Sequence, residues 1–211
     1  MTIFLKSFFF ALFIFSASVE ASSQFQSTEW MLAESTDEIK VYTKGIKDRP
    51  NAKEIKSIMR ISQSPEKLLA LVVDYPNAKN WRQRVKSMER VKNIDDNNWL
   101  VRSVTDLPWP LEDRTAVMTC NVERNEKTGT IIYTFKSAGK DNGLDASETI
   151  EGKYIFVPLP NGQTEITHHI VMDSPVQVPE WLMSSMIGDS FVTQMEQMKT
   201  EVSSPRYMSQ D

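Results

Sequence analysis

Arg114-Thr115-Ala116-Val117-Met118-Thr119-Cys120-Asn121-Val122-Glu123 and, after a turn at Lys127-Thr128-Gly129, Thr130-Ile131-Ile132-Tyr133-Thr134-Phe135-Lys136 decide the fold of this chain. Ala116, Met118, Cys120 and Val122 take every second place in the first segment, and Ile131, Tyr133 and Phe135 every second place in the other. Successive strand residues point to opposite faces, so this period describes two strands, each with one apolar face, joined as an antiparallel hairpin. A sheet with one buried face and one wet face follows.

Working outward, the same period recurs in Val85–Val91, Trp99–Thr105, Thr149–Val157 and Glu165–Asp173. Asp95-Asp96-Asn97, Asp141-Asn142-Gly143 and Pro160-Asn161-Gly162 supply turn chemistry between them, and a meander of antiparallel strands is predicted. The apolar alternates continue as Ile150, Tyr154 and Phe156, then Ile166, His168, Ile170 and Met172. Between Thr105 and Arg114 lies Asp106-Leu107-Pro108-Trp109-Pro110-Leu111-Glu112-Asp113. Pro108 and Pro110 each lack a backbone donor and fix φ, so neither fits a central strand and the chain turns a corner here.

Upstream, Thr28–Glu34 reads as a short helix, and Ile39–Thr43 and Ile55–Ile61 as strands, with Ile55, Ser57, Met59 and Ile61 on one face. Ser64 and Pro65 form a helix start leading into Leu68, Leu69, Leu71, Val72 and Val73, and Asp74-Tyr75-Pro76-Asn77 ends it. Trp81 then precedes Arg82, Arg84 and Lys86, read as a solvated basic face. Beyond Pro175 and Pro179 the period becomes helical, through Trp181, Leu182, Met183, Met186, Ile187, Phe191, Val192, Met195, Met198 and Val202. A lone helix beside a six- or seven-stranded sheet has one place for its apolar face, the concave side of that sheet. The fold class is therefore α+β, a curved antiparallel sheet wrapped around a long C-terminal helix. A twisted sheet does not close flush on one helix, so large side chains fill the space between or a cavity remains.

Lys6 precedes an apolar run from Phe8 to Phe15 and then Ser16, Ala17 and Ser18. A membrane span needs about 20 apolar residues, so residues 1–21 read as a secretory signal peptide cleaved after Ala21. No cysteine lies near the cut, so no lipoprotein anchor is expected. About 190 residues remain, one domain over residues 22–202 with a tail at 203–211. The formal charge of −4, with no basic run, argues against nucleic acid and against an electrostatic membrane patch. Cys120 is the single cysteine, so the core must hold without a disulfide.

His168 and His169 are the two histidines, and as strand neighbours they point to opposite faces. A two-His metal site is excluded, and neither a glycine-rich phosphate loop nor a G-x-S-x-G elbow is present. No catalytic residue, metal or cofactor is expected, and His168 reads as an inward histidine with its hydrogen bonds satisfied.

Several motifs occur in order: Trp30-x-x-x-Glu34 followed by Ile39-Lys40-Val41-Tyr42-Thr43, the spacing of Asp74 to Trp81, Pro108-Trp109-Pro110-Leu111-Glu112-Asp113-Arg114, and Val178-Pro179-Glu180-Trp181-Leu182 after Asp173-Ser174-Pro175. On these, the chain from Trp30 to Val202 resembles the START-type lipid-binding domains of the helix-grip superfamily. One departure is Thr115, where the family often carries a second acid.

The resemblance implies an apolar tunnel between sheet and helix that holds one lipid or other hydrophobic small molecule. Its candidate lining is Arg114, Trp109, Met118, Tyr133, Phe135, Tyr154, His168, Met172, Met183, Met186, Ile187 and Phe191. Arg114 either orients a head group or forms an ion pair with Asp106 or Asp113 that stiffens the corner. The helix methionines either repack around a ligand or fill an ordinary core. Trp81, Trp109 and Trp181 line a mouth or belong to the core, and Gly188 either lets something pass close to the helix backbone or relieves a helix–sheet contact. The implied role is a non-catalytic carrier or sensor, expected to be monomeric, touching membranes transiently and exported to a bacterial periplasm or beyond. Two other readings stand beside it, a cyclase/aromatase-like enzyme of the same superfamily and an interaction protein with a closed core.

Overall fold

The computed structural model describes residues 28–106, 112–138, 150–173 and 180–207, with the backbone alone described at 50, 51, 172, 173 and 180–186. In chain order the elements are β1 (Met31–Ser35), β2 (Ile39–Ile46), β3 (Arg49–Ile61), α1 (Pro65–Val73), β4 (Val85–Asn93), β5 (Asn98–Thr105), β6 (Arg114–Asn125), β7 (Thr130–Ser137), β8 (Glu151–Pro158), β9 (Thr164–Asp173) and α2 (Glu180–Val202). Short 3₁₀ turns at Tyr75–Asn80 and Pro205–Tyr207 follow the two helices.

The six strands of the predicted meander all form, and the first three join them in one sheet ordered β1-β2-β3-β9-β8-β7-β6-β5-β4. Every neighbouring pair is antiparallel. The sheet is thus larger than the six or seven strands expected, because β3 pairs with β9 along its length, from Ala52 opposite Asp173 to Ile61 opposite Thr164. The predicted alternates face inward: Ile55, Ser57, Met59 and Ile61 on β3, Ala116, Met118, Cys120 and Val122 on β6, and Ile166, His168 and Ile170 on β9 are all buried.

The segment Thr28–Glu34, expected to be helical, is instead the edge strand β1. A helix this short does not pay its nucleation cost alone, since isolated helices need about 12–15 residues. The open edge of β2 offers a ready ladder, taken with Met31 opposite Thr43 and Ser35 opposite Lys40 and a bulge between Leu32 and Glu34. Thr36 fixes the turn between them, its Oγ1 accepting from the backbone N–H of Ile39 at 3.1 Å.

Helix α1 starts as its sequence dictates, with Ser64 Oγ accepting from the Lys67 N–H at 3.3 Å and Pro65 at the first helical position. It packs on β7 and β8, while α2 crosses β1, β2 and β3. Leu68 and Leu71 from α1 and Met195, Met198 and Val202 from α2 are fully buried in one core with Ile39, Val41, Phe156 and Ile166. At Gly188 α2 approaches the sheet closely. A methyl group added there would lie 2.8 Å from Glu34 Cβ and 3.4 Å from the Ala33 carbonyl oxygen. Of the two roles open to this glycine, the structure shows the helix–strand contact. Beyond Val202 the chain turns back, and buried Tyr207 donates to Asp74 Oδ2 at 2.7 Å, so this part of the expected loose tail is docked on the end of α1.

Candidate functional site

Strand register lines up one row of inward side chains across the middle of the sheet: Val41, Ser57, His168, Tyr154, Tyr133 and Val122. Such rows form because cross-strand partners share a face, and here that face is buried beneath the helices. Tyr154 sits at its centre. Its ring stacks on His168 at 4.1 Å with an interplanar angle of 3°, and packs against Phe156 at 6.1 Å, Tyr133 at 6.4 Å and Phe135 at 6.5 Å. Phe135 reaches this floor over Gly152, where an added Cβ would lie 2.6 Å from the ring tip and 2.5 Å from the His169 carbonyl oxygen. From α2, Phe191 comes down onto His168 at 5.6 Å.

Polar atoms within this floor fall into two groups. On the β5–β7 side they are paired: Trp99 Nε1 donates to Tyr75 Oη at 2.6 Å, Tyr75 and Tyr133 share a hydroxyl contact at 3.2 Å, and the Tyr133 hydroxyl donates to Cys120 Sγ at 3.1 Å. On the β3–β9–β8 side several are not. Ser57 Oγ, Trp81 Nε1, Arg82 Nε and both ring nitrogens of His168 are buried without a hydrogen-bond partner. His168 therefore departs from the expectation of a satisfied inward histidine. Among its neighbours are the Tyr154 ring, Ser57 across the β3–β9 register and Phe191 of the helix, none of which bonds its nitrogens.

Arg82 also departs from its reading as part of a solvated face. Arg84 and Lys86 are exposed, but Arg82 is half-buried, its guanidinium 4.3 Å from the Trp81 ring centroid and 5.6 Å from that of Tyr154. Its Nη2 donates to the Val72 carbonyl at 3.3 Å and its Nη1 to Tyr154 Oη at 3.5 Å. Gln194 of α2 donates to the same hydroxyl at 3.5 Å. The 3₁₀ turn after α1 carries Trp81 inward, where it is 1% exposed, and the next residue follows it against the floor.

Burial sets the protonation of the row. Loss of water raises Tyr133 well above its ordinary range, with Cys120 adding to the shift, and raises Tyr154 against the opposing charge of Arg82. Burial likewise raises the Cys120 thiol, and it holds His168 well below its usual value, helped by the charges of Arg82 and His169. At neutral pH these groups are all uncharged, and the guanidinium of Arg82 brings a formal charge into contact with the row.

Of the residues picked from the sequence, Met118, Tyr133, Phe135, Tyr154, His168 and Phe191 are buried in one core, and Ile187 packs on it half-buried. Ring contacts join Tyr133, Phe135, Tyr154, His168 and Phe191 directly. Arg114 opens β6 opposite Thr105 and is half-buried, while Asp113 binds Lys86 of β4. Met172 faces Lys53 in the β3–β9 register, and Met183 and Met186 lie in the first half of α2, all three described by backbone alone. Trp109 lies outside the described residues. Arg82, Trp81, Ser57 and Gln194 are the members of the floor that the candidate list lacked. No group of three or more His, Cys, Asp or Glu among the described residues is arranged to hold a metal. A surface depression of about 810 Å³, bordered by Glu123, Arg124 and Lys127 of the β6–β7 hairpin, contains none of the candidate residues.

A nine-stranded antiparallel sheet holding an aromatic floor under a C-terminal helix is the architecture of helix-grip proteins. The family model for the START domain matches residues 17–204, and the chain belongs to that family. An uncharacterized protein of Pseudomonas aeruginosa is 24% identical over 166 residues, covering 77% of this chain and 81% of that one. Among solved structures, a STAR-related lipid transfer protein from Xanthomonas axonopodis superposes with a TM-score of 0.70 at 19% identity, covering 83% of this chain and 99% of its own. Human STARD10 gives 0.71 at 16% identity, covering 86% and 76% respectively. At such identities the likeness shows the fold.

Proposed function

We propose that this protein binds a lipid or other hydrophobic small molecule between α2 and the sheet and carries it without chemical change. The observation that carries the reading is the continuous aromatic face from Trp99 through Tyr133, Tyr154 and His168 to Phe191, placed under the helix of a START-family domain. An apolar pocket with a few placed polar groups is how proteins hold such ligands, and the floor has that composition. The Xanthomonas neighbour, a STAR-related lipid transfer protein by name, points the same way. The leader-like residues 1–21 support export of the carrier, which we take to act as a monomer, and no helix among the described residues is long and apolar enough to cross a membrane.

A closed-core reading has one observation in its favour. Phe191 already touches His168, so helix and floor meet directly at that point. Organic extraction of the protein purified from its native compartment, with mass spectrometry of the extract and of the intact chain, separates the two. A stoichiometric lipid on a chain shortened by residues 1–21 supports the exported carrier. An empty protein that also binds nothing from a lipid panel refutes the carrier and leaves the closed core.

A further inference from the structure

The unpartnered atoms of the floor share one neighbourhood. Ser57 and His168 are cross-strand partners, as are His168 and Tyr154. Trp81 meets the edge of Tyr154 at 6.4 Å, and Arg82 reaches its hydroxyl. Ser57 is 0%, Trp81 1% and His168 2% exposed, so bulk water does not serve them. Buried polar atoms are nearly always paired in native proteins, and several orphans around one ring therefore need a partner that the described residues do not supply.

Their chemistry says what that partner carries. Arg82 Nε–H and Trp81 Nε1–H can only donate, neutral His168 donates from one nitrogen, and the Ser57 hydroxyl can donate as well. The set is rich in donors and bears one positive charge, and no carboxylate among the described residues bonds to any of its orphaned atoms. A neutral hydroxyl or an ester would leave most of these donors empty and the guanidinium uncompensated. A cationic head would meet Arg82 as a like charge.

The geometry points to Arg82, Trp81, Ser57 and His168 as a recognition site for the acidic head, carboxylate or phosphate monoester, of an otherwise apolar ligand. This rests on the hydrophobic-ligand reading above and adds the class of molecule selected. Arg82 pairs with the anion, the guanidinium being suited to two parallel hydrogen bonds with such oxygens. Trp81 and Ser57 complete the cradle, and the Tyr154–His168 stack forms its floor.

Displacement of a lipophilic fluorophore from the full mature chain by oleate, oleoyl-lysophosphatidate, oleyl alcohol and methyl oleate tests the site. At least one acidic compound is expected to bind tenfold or more tightly than the alcohol and the ester, and the stronger of the two acids tells carboxylate from phosphate. Arg82→Gln should bring that acid down to the level of the alcohol without changing the alcohol. If Arg82→Gln does not fold, Ser57→Ala should still weaken the acid by threefold or more and spare the alcohol. Equal binding of acids, alcohol and ester overturns the acidic-head site, assigns the orphaned atoms to ordered water, and leaves the carrier reading standing. Binding of none of the four overturns both.

Discussion

Replacing His168 with phenylalanine measures what the orphaned ring nitrogens cost. The ring is 2% exposed, stacked at 4.1 Å on Tyr154 and covered by Phe191 at 5.6 Å, so a phenyl group keeps both stacks and removes two buried polar atoms. An unpaired buried polar group costs about 1–3 kcal/mol, and a slightly larger ring returns about 1 kcal/mol as crowding. His168→Phe is therefore expected to stabilise the ligand-free protein by up to about 2 kcal/mol at pH 7.5, raising Tm by up to roughly 8 °C. The sign reverses for most buried substitutions, so the result is discriminating.

Acidity sharpens the test. Burial first, with the charges of Arg82 and His169 behind it, holds the folded His168 well below the ordinary value of 6.5. As pH falls through that value the unfolded chain takes up a proton that the folded chain refuses. Wild-type stability then drops by up to about 1.4 kcal/mol per pH unit from this group. The phenylalanine variant lacks that contribution, so its advantage should widen between pH 7.5 and pH 5.5. Urea denaturation followed by circular dichroism at the two pH values measures both effects. A variant less stable than wild type at pH 7.5, or an advantage that does not grow at pH 5.5, would refute the argument by showing that the nitrogens are satisfied.

Gly188→Val should destabilise by about 1–3 kcal/mol in the same assay, because the added atoms meet Glu34 Cβ on β1, whereas valine at exposed Ser190 should change stability by less than about 1 kcal/mol. Tyr75→Phe leaves Trp99 Nε1 without its acceptor at 2.6 Å and should cost about 1–3 kcal/mol. Tyr133→Phe removes a hydroxyl that no donor-only group depends on and should cost about 0.5–1.5 kcal/mol.

The period-two pattern carried most of the sheet into view, since nearly all the residues it assigned inward on β3, β6, β7, β8 and β9 whose side chains are described are buried. The C-terminal helix was equally visible from its change of period after Pro179. What local pattern does not encode is the partner of an edge. Nothing in Thr28–Glu34 names β2 as its neighbour, and that free edge turned a helical-looking segment into β1. The same limit hid Arg82. A basic cluster after a chain break looks solvated, and only the register of β3, β9 and β8 shows that its first member lies against Tyr154. The one available signal was Trp81, whose bulk draws the turn inward and its neighbour with it. His168 was placed on the correct face, but pairing of its nitrogens depends on what stands opposite, which a strand pattern does not specify.

The β3–β9 seam has a consequence for how the chain is made. Its ten paired positions join segments roughly a hundred residues apart, so closing them costs more loop entropy than any hairpin in the sheet. The first three strands therefore wait, with the outer rim of β3 open, until nearly the whole chain has been synthesised. During that interval the rim, with its buried-to-be Ile55, Met59 and Ile61, is the place where one nascent molecule can pair with another.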